Sequence, residues 1–371
     1  MKKSKIILII CLFFTVFSFN NYACTGIRLI SKDGGVVYGR TMEWGTFDLR
    51  SRINIVPVGY SYRGTTPDGN NGKLYKANYG FVGLDMVEKY YISDGMNEKG
   101  LAVGMFYHPG FAKYPQYNPK EAKNTISSQE LANYILSQFA SIEEVKKGMS
   151  TINVVGVIEE AIGIVVQGHW IVTDTSGKSI VIEYINSELK IHDAPLGVIT
   201  NAPSYDWHMT NLRNYVNLSN MSFPDKKLSG IEFGKLGAGT GMLGLPEDNT
   251  PVSRFIRAVA WTQTSRALEN STEGVNETLR ILDNFQLPLG PDAAEGQGPS
   301  TSKDIMRSST IWTTAWDLTG LTLNFHTQHN KRVRQLDLKN IDFKNIGDKI
   351  TYLKMDKVKE QDIEELTPVF E

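Results

Sequence analysis

Cys24 follows a segment that reads as one to be cut away. Lys2, Lys3 and Lys5 give a basic start, Ile6 to Phe19 runs apolar, and Asn20-Asn21-Tyr22-Ala23 is a short polar exit ending on a small residue. A cut after Ala23 makes Cys24 the first residue of an exported chain, periplasmic or secreted, with a thiol and a free α-amine on one residue. An α-amine has a pKa near ~7.7–8, so it can take a proton near neutral pH. A deprotonated thiol is a strong nucleophile. Together they form a nucleophile with its own base, suited to attack on a carbonyl carbon. Two other readings of the segment fit less well. The apolar run is short of the ~20 residues of a membrane span. Asn21 occupies the third position before the cysteine, where a lipid-attachment signal carries an aliphatic residue.

Such a nucleophile needs a cation to favour the thiolate, a carboxylate to hold the amine and fixed donors for a tetrahedral oxyanion. Arg40 and Glu43 are the nearest candidates in the chain. Residues 24–31 and 35–40 flank the turn Lys32-Asp33-Gly34-Gly35 and read as a hairpin. The end of its second strand returns to the start of the first, which brings Arg40 beside Cys24. The same pattern is also that of an ordinary strand end with surface charges.

The rest of the chain must position this hairpin. Strands are expected at Arg52–Val58, Tyr79–Leu84, Tyr90–Ile92 and Leu101–Tyr107, with turns at Ser93-Asp94-Gly95 and Asn97-Glu98-Lys99-Gly100. Hairpins are expected at His169–Asp174 with Ser179–Tyr184, and at Thr310–Asp317 with Leu321–Thr327. Helical spacing covers Ser127–Phe139, Ser141–Lys147, Asp206–Leu218, Pro251–Thr264 and Ser271–Asn284. The tail from Lys339 is charged and reads as irregular with short elements. Hairpins followed by helix pairs predict an α+β arrangement of antiparallel sheets, with residues 24–371 as a single domain.

Composition excludes several classes. Loss of the three leader lysines takes the formal charge from −1 to −4, and no basic tract is present, so nucleic acid is not an expected partner. Of the two cysteines, Cys11 lies in the leader, so the mature chain can form neither an internal disulfide nor a cysteine-type zinc site. His326 and His329 lack an evident third ligand, and Ser253 with His208 forms no readable serine triad. Gly239-x-Gly241-x-x-Gly244 spells a dinucleotide fingerprint but has no preceding strand and runs into Pro246. No metal and no cofactor are therefore expected. Trp44, Phe47, Trp312 and Trp316 are candidates for an apolar pocket or for core.

Several ordered motifs resemble the choloylglycine hydrolase family, which includes bile salt hydrolases and penicillin V acylases. They are Cys24-Thr25-Gly26, Gly39-Arg40-Thr41-Met42-Glu43-Trp44, Asp94 to Leu101, Thr200-Asn201-Ala202-Pro203, Asn211 to Tyr215, Gly239 to Pro246, and Ser253-Arg254-Phe255-Ile256-Arg257. The last hairpin, Thr310 to Thr327, also fits, so the resemblance spans essentially the whole mature chain. It implies the αββα sandwich of N-terminal nucleophile hydrolases. It implies Cys24 as nucleophile with its own amine as base, Arg40 beside the thiol, Glu43 holding the amine where many members have Asp, Asn201 as oxyanion-hole amide and Arg254 ordering the site. Bile salt hydrolases usually carry Asn shortly before a Pro-Gly pair; here the run is Met105-Phe106-Tyr107-His108-Pro109-Gly110. Tyr107 is the better equivalent, as in many penicillin V acylases, with Phe106 as the alternative. Loops near Phe47, Tyr60 and Phe106 should shape the substrate pocket. The implied substrate is a small-molecule amide with a bulky apolar acyl group: a conjugated bile salt first, penicillin V or an N-acyl-homoserine lactone otherwise. An exported or lipid-anchored binding protein without catalysis is the reading of another class. Residues 220–250 resemble the assembly loop of tetrameric members, which implies a homotetramer.

Overall fold

The computed structural model describes residues 24–45, 49–160, 163–288 and 309–368; the expected leader and Phe47 lie outside the described residues. In chain order the strands of the two large sheets are β1 (Thr25–Ile30), β2 (Val36–Trp44), β3 (Arg52–Val56), β4 (Phe81–Asp85), β5 (Ile92–Asn97), β6 (Ala102–Tyr107), β7 (Gly168–Thr173), β8 (Ser179–Ile185), β9 (Glu188–Asp193), β10 (Ser309–Asp317), β11 (Thr322–Thr327), β12 (Arg334–Asp337) and β13 (Thr351–Lys354). A five-stranded sheet has the order β1-β2-β10-β11-β12, and an eight-stranded sheet the order β9-β8-β7-β6-β5-β4-β3-β13. All pairings within them are antiparallel.

The sheets face each other across one core, where Ile27 and Tyr38 from the first meet Met96, Phe106, Ile171 and Val181 from the second. Helices cover the outer faces. α1 (Leu131–Gln138) and α2 (Ile142–Met149) bury Leu131, Ile135, Val145 and Met149 against Val103, Trp170 and Val172 of the eight-stranded sheet. On the other side α5 (Ser271–Asp283) sets Val275 and Leu279 on Val37 and Ala315. α4 (Pro251–Thr264) packs beside it along β1. The α4 start is well signalled: the Thr250 hydroxyl accepts from the Ser253 amide and proline occupies the first turn. With both faces covered, β2 and β10 are buried along their whole length, although they carry Arg40, Thr41 and Glu43, and Thr310, Thr313, Thr314 and Asp317.

One expectation fails here. Ser93-Asp94-Gly95 is not a turn but the middle of β5. The real turn is Glu98-Lys99. Asn97 Oδ1 accepts from the Lys99 and Leu101 amides there, and Gly100 takes φ +76° where a Cβ would meet the Leu318 carbonyl at 2.4 Å. The tail carries the short elements expected of it: β13 adds an edge to the larger sheet by pairing with β3. The helix expected over Asp206–Leu218 divides into α3 (Tyr205–Asn211) and a 3-10 turn, Leu212–Tyr215.

Candidate active site

Strand register places the chemistry. β1 pairs with β2 so that Gly26 faces Arg40 and Thr25 faces Thr41, which sets Cys24 across from Met42. On the free edge of β1 a short bridge joins Gly26 to Ile199, with both amides bonded to the opposite carbonyls at 2.8 and 3.0 Å. Continuing that antiparallel register sets Asn201 across from Cys24. The result is direct: the Cys24 nitrogen donates to Asn201 Oδ1 at 3.0 Å. Arg254, reaching down from α4, donates to the same Oδ1 at 2.8 Å, to Thr25 Oγ1 at 3.0 Å and to the Cys24 carbonyl. Two donors converging on Oδ1 fix the amide orientation, and Asn201 Nδ2 donates to the Tyr107 carbonyl at 2.8 Å.

Alternation along β2 divides its side chains between two faces. Arg40 and Met42 point between the sheets. The Arg40 guanidinium donates to the carbonyls of Ser93 and Met105 on the facing sheet and lies over the Phe106 ring, 4.1 Å from its centroid. Thr41 and Glu43 point the other way. The Glu43 carboxylate accepts from Thr41 Oγ1 at 3.1 Å and Thr310 Oγ1 at 2.8 Å. In the structure the Cys24 backbone amide donates to Asn201, and the Glu43 carboxylate is engaged by Thr41 and Thr310. Which face of β2 each side chain takes is a one-residue effect that spacing alone does not reveal.

The Cys24 sulfur lies 4.0 Å from Met42 Sδ and 3.9 Å from the Glu43 carbonyl, in the wall of an apolar cavity. Met42, Trp44, Leu49, Met86, Val166 and Tyr107 line it, with the Tyr107 ring edge-on to Trp44 at 6.1 Å. Phe106 does not line it: it is wholly buried behind Arg40 and against Gly26, where a Cβ would come within 2.6 Å of the ring. Adjacent strand residues face opposite ways, so Tyr107 and Phe106 cannot share this role. Tyr60 packs on Tyr62, 4.8 Å between centroids, on the outer side of the larger sheet. Trp312 and Trp316 are core; Trp44 is the tryptophan of that set that reaches the cavity.

The profile of the linear amide C–N hydrolases, choloylglycine hydrolase family, matches residues 24–352. The chain belongs to the choloylglycine hydrolase family. A bile salt hydrolase/transferase of Clostridium perfringens is 34% identical over 272 residues, which is 72% of this chain and 80% of that protein. A penicillin V acylase of Pectobacterium atrosepticum is 25% identical over 83% of this chain and 78% of its own. Among solved structures, an arginine-to-leucine variant of the conjugated bile acid hydrolase of Clostridium perfringens superposes with a TM-score of 0.77 at 28% identity, over 93% of this chain and 100% of the other. The fold is thus the αββα sandwich of N-terminal nucleophile hydrolases, and the protein is an amidase of the choloylglycine hydrolase type. A binding protein without catalysis is not the reading that survives.

Burial governs the electrostatics of the hydrolase. It raises the Cys24 thiol pKa, and the Arg40 guanidinium is the largest opposing influence. Burial also pushes Glu43 up to about 7 against Arg254 and the two threonine hydroxyls, and pushes Asp94 up to about 6 against Arg40. Between the ordinary carboxylate value and about 7, the folded state binds the Glu43 proton more tightly than the unfolded chain does. This contribution to stability is full below pH 4.5 and is lost as pH rises through about 7. Glu43→Gln removes it. The wild-type-minus-variant unfolding free energy should therefore fall by up to roughly 3 kcal/mol between pH 4.5 and 7.5. Urea titrations at those two pH values check this; a difference that rises with pH contradicts it.

Sequence reasoning missed a buried group behind Asn201. His169 bonds through Nδ1 to Glu183 Oε1 and through Nε2 to the Thr200 carbonyl, both at 3.0 Å, and His208 Nε2 lies 3.1 Å from the Asn201 carbonyl. The Glu183 carboxylate is held below its ordinary range, because bonds from His169 and His192 outweigh its burial. His108, His169 and Glu183 bring one donor atom each within 4.8 Å of one another. However, the two rings stack 4.1 Å apart at 7°, so their in-plane lone pairs run parallel instead of converging on an ion. The arrangement clamps the carbonyls on either side of the Asn201 side chain. His169→Ala should lower kcat ~10-fold or more with KM little changed, and His169→Asn should recover part of it, because a loosened donor weakens the transition state more than the bound substrate. Equal losses in KM and kcat would contradict this. The signal in the sequence was weak: four histidines spread over 108–208 become neighbours only when β7, β8 and α3 pack together.

Proposed function

We propose that the protein is exported, is cut after Ala23 and hydrolyses conjugated bile salts through a thioester on Cys24, releasing glycine or taurine. The observation that carries this reading is the Cys24 thiol in the wall of an apolar cavity, with its backbone nitrogen and carbonyl fixed by Asn201 and Arg254. In this mechanism the freed α-amine takes the thiol proton, directly or through a water, and sulfur attacks the amide carbon. Asn201 Nδ2 carries two hydrogens; one is held by the Tyr107 carbonyl and the second is directed to the oxyanion. The α-ammonium then protonates the departing amine. Water, activated by the same amine, cleaves the thioester.

A second reading, penicillin V or N-acyl-homoserine lactone acylase, is favoured by Tyr107, whose ring narrows the cavity against Trp44. Incubating the protein starting at Cys24 with glycocholate, taurocholate, penicillin V and a long-chain N-acyl-homoserine lactone tests both. Release from the cholates supports the first reading. Cleavage confined to the other two replaces it with the second. Mass analysis of the mature N-terminus tests the cut: a free Cys24 agrees, and a diacylglyceryl-Cys24 does not.

The tetramer is proposed on similar terms. The segment around the hairpin Lys226–Leu228 and Ile231–Phe233 exposes Leu228, Ile231, Phe233 and Leu236, an apolar surface suited to a second copy of the chain. Sedimentation of the mature chain as a monomer would overturn it.

A further inference from the structure

The charged tail concentrates its lysines beside the catalytic cavity. Lys354 ends β13, and Lys357 and Lys359 follow it. With Arg50 and Arg52 they line a groove of about 380 Å³, whose carboxylates are Glu88 and Asp356. Five cations against two carboxylates reverse the sign of the whole chain, whose formal charge is −1. Both carboxylates are already paired, Glu88 with Arg50 at 3.0 Å and Asp356 with Arg334 at 2.6 Å. Arg52 is held by the buried Asp85 at 2.7 Å. Among the described residues Lys354 and Lys357 form no ion pair.

The register adds to the cost of this arrangement. Lys354 stands directly across from Arg52 in the β3–β13 pair, and like charges at that spacing repel. Asp85 offsets the charge of Arg52 and leaves that of Lys354 standing. Lysine on an edge strand blocks further pairing. That role calls for neither a second cation opposite it nor Lys357 beyond the end of the strand.

The groove adjoins the Cys24 cavity through one wall. Leu49 and Val87 line the cavity, and the next residues in the chain, Arg50 and Glu88, line the groove. The Val87 amide donates to the Leu49 carbonyl at 2.7 Å, and the Arg50–Glu88 pair ties the same two segments together. Trp312, which is opposite Met42 in the β2–β10 pair, forms the groove floor with Ile311 and Met355, all three buried. A cationic rim over an apolar floor is the complement of an amphipathic anion. A small inorganic anion would leave the floor unused, and a neutral amphiphile would leave the lysines unused.

We propose that this groove binds an amphipathic anion, an apolar body carrying a carboxylate or sulfonate, with its acid group held by Lys354 and Lys357. Conjugated bile salts and penicillin V are of this class, whereas an N-acyl-homoserine lactone carries no acid group. The groove therefore concentrates the first two beside the cavity, and not the third. It is a binding site in its own right and does not depend on which amide is cleaved.

The test is calorimetric titration of the Cys24→Ala protein with cholate, with uncharged methyl cholate and with inorganic sulfate. Cholate affinity should fall ~10-fold between 20 and 300 mM sodium chloride. Lys354→Gln combined with Lys357→Gln should weaken cholate at least ~10-fold at the lower salt, with the urea midpoint unchanged because neither lysine is paired. Lys354→Arg with Lys357→Arg should retain the binding. Methyl cholate and sulfate should each bind at least tenfold more weakly than cholate. Cholate binding that is equal in the glutamine double variant overturns the proposal, as does sulfate or methyl cholate binding as tight as that of cholate. A protein that cleaves conjugated cholates but binds cholate equally with and without the two lysines keeps its hydrolytic reading and loses the groove. A protein that cleaves no amide but loses salt-sensitive cholate binding in the glutamine variant keeps the groove and loses the hydrolytic reading.

Discussion

Cys24→Ala should reduce amide hydrolysis at least ~10³-fold while leaving the fold intact, because the sulfur is the only group proposed to bond with the substrate carbon. The side chain is 3% exposed and touches Met42 and the Glu43 carbonyl, so its removal leaves a small void and no orphaned charge. Cys24→Ser retains the shape and should also lose most of the rate, since a hydroxyl is far harder to deprotonate. A sharper variant keeps the thiol and moves the amine: a chain with one glycine placed before Cys24 has the same sulfur, the same Asn201 and Arg254, and no α-amine at the cysteine. It should be nearly as inactive as Cys24→Ala, with the thiol still alkylated by iodoacetamide. Full activity in the glycine-extended chain would eliminate the amine as base, and full activity in Cys24→Ala would eliminate the thioester.

Arg40→Met is expected to have the next largest effect, and it separates two roles of one cation. Arg40 is wholly buried and is the largest influence that opposes the rise of the Cys24 thiol pKa. Without it, burial acts unopposed by its strongest counterweight, so the pH profile of Cys24 alkylation should move to higher pH. At neutral pH kcat/KM should fall ~10²-fold or more, each decade being ~1.4 kcal/mol of lost thiolate stabilisation. Arg40 also faces Asp94, whose carboxylate accepts from Trp316 Nε1 and Thr314 Oγ1, both at 2.7 Å. Removing the cation leaves that carboxylate buried and unbalanced, a loss on the order of 3 kcal/mol above pH 6, where Asp94 is ionised. Arg40→Met with Asp94→Asn should therefore regain most of the stability and none of the activity. Recovery of activity in the double variant would mean that Arg40 serves the fold and not the thiol.

Much of the architecture was legible in the chain. The α4 span was read from Pro251 to Thr264, the hairpins at β7–β8 and β10–β11 came within a residue or two of their positions, and the first hairpin was set by Asp33-Gly34. These are local features: a turn residue, a cap or a period acts over a few positions and leaves its mark in sequence. Ser93-Asp94-Gly95 misled for the complementary reason. Its composition is that of a turn, yet Asp94 is held inside β5 by groups more than 200 positions away on β10.

By itself the sequence singled out the residues to examine: Cys24 behind a leader-like segment, and the ordered motifs that brought Arg40, Glu43, Asn201 and Arg254 into consideration. Only the tertiary structure decided how they are arranged. That the Cys24 amide meets Asn201 while Glu43 bonds to Thr41 and Thr310 depends on the bridge between Gly26 and Ile199 and on which face of β2 each side chain takes. Whether Tyr107 or Phe106 reaches the cavity depends on the same alternation. Register is fixed by contacts between segments far apart in the chain, and a one-residue change in it reverses every side chain, so it is invisible until the sheets are assembled.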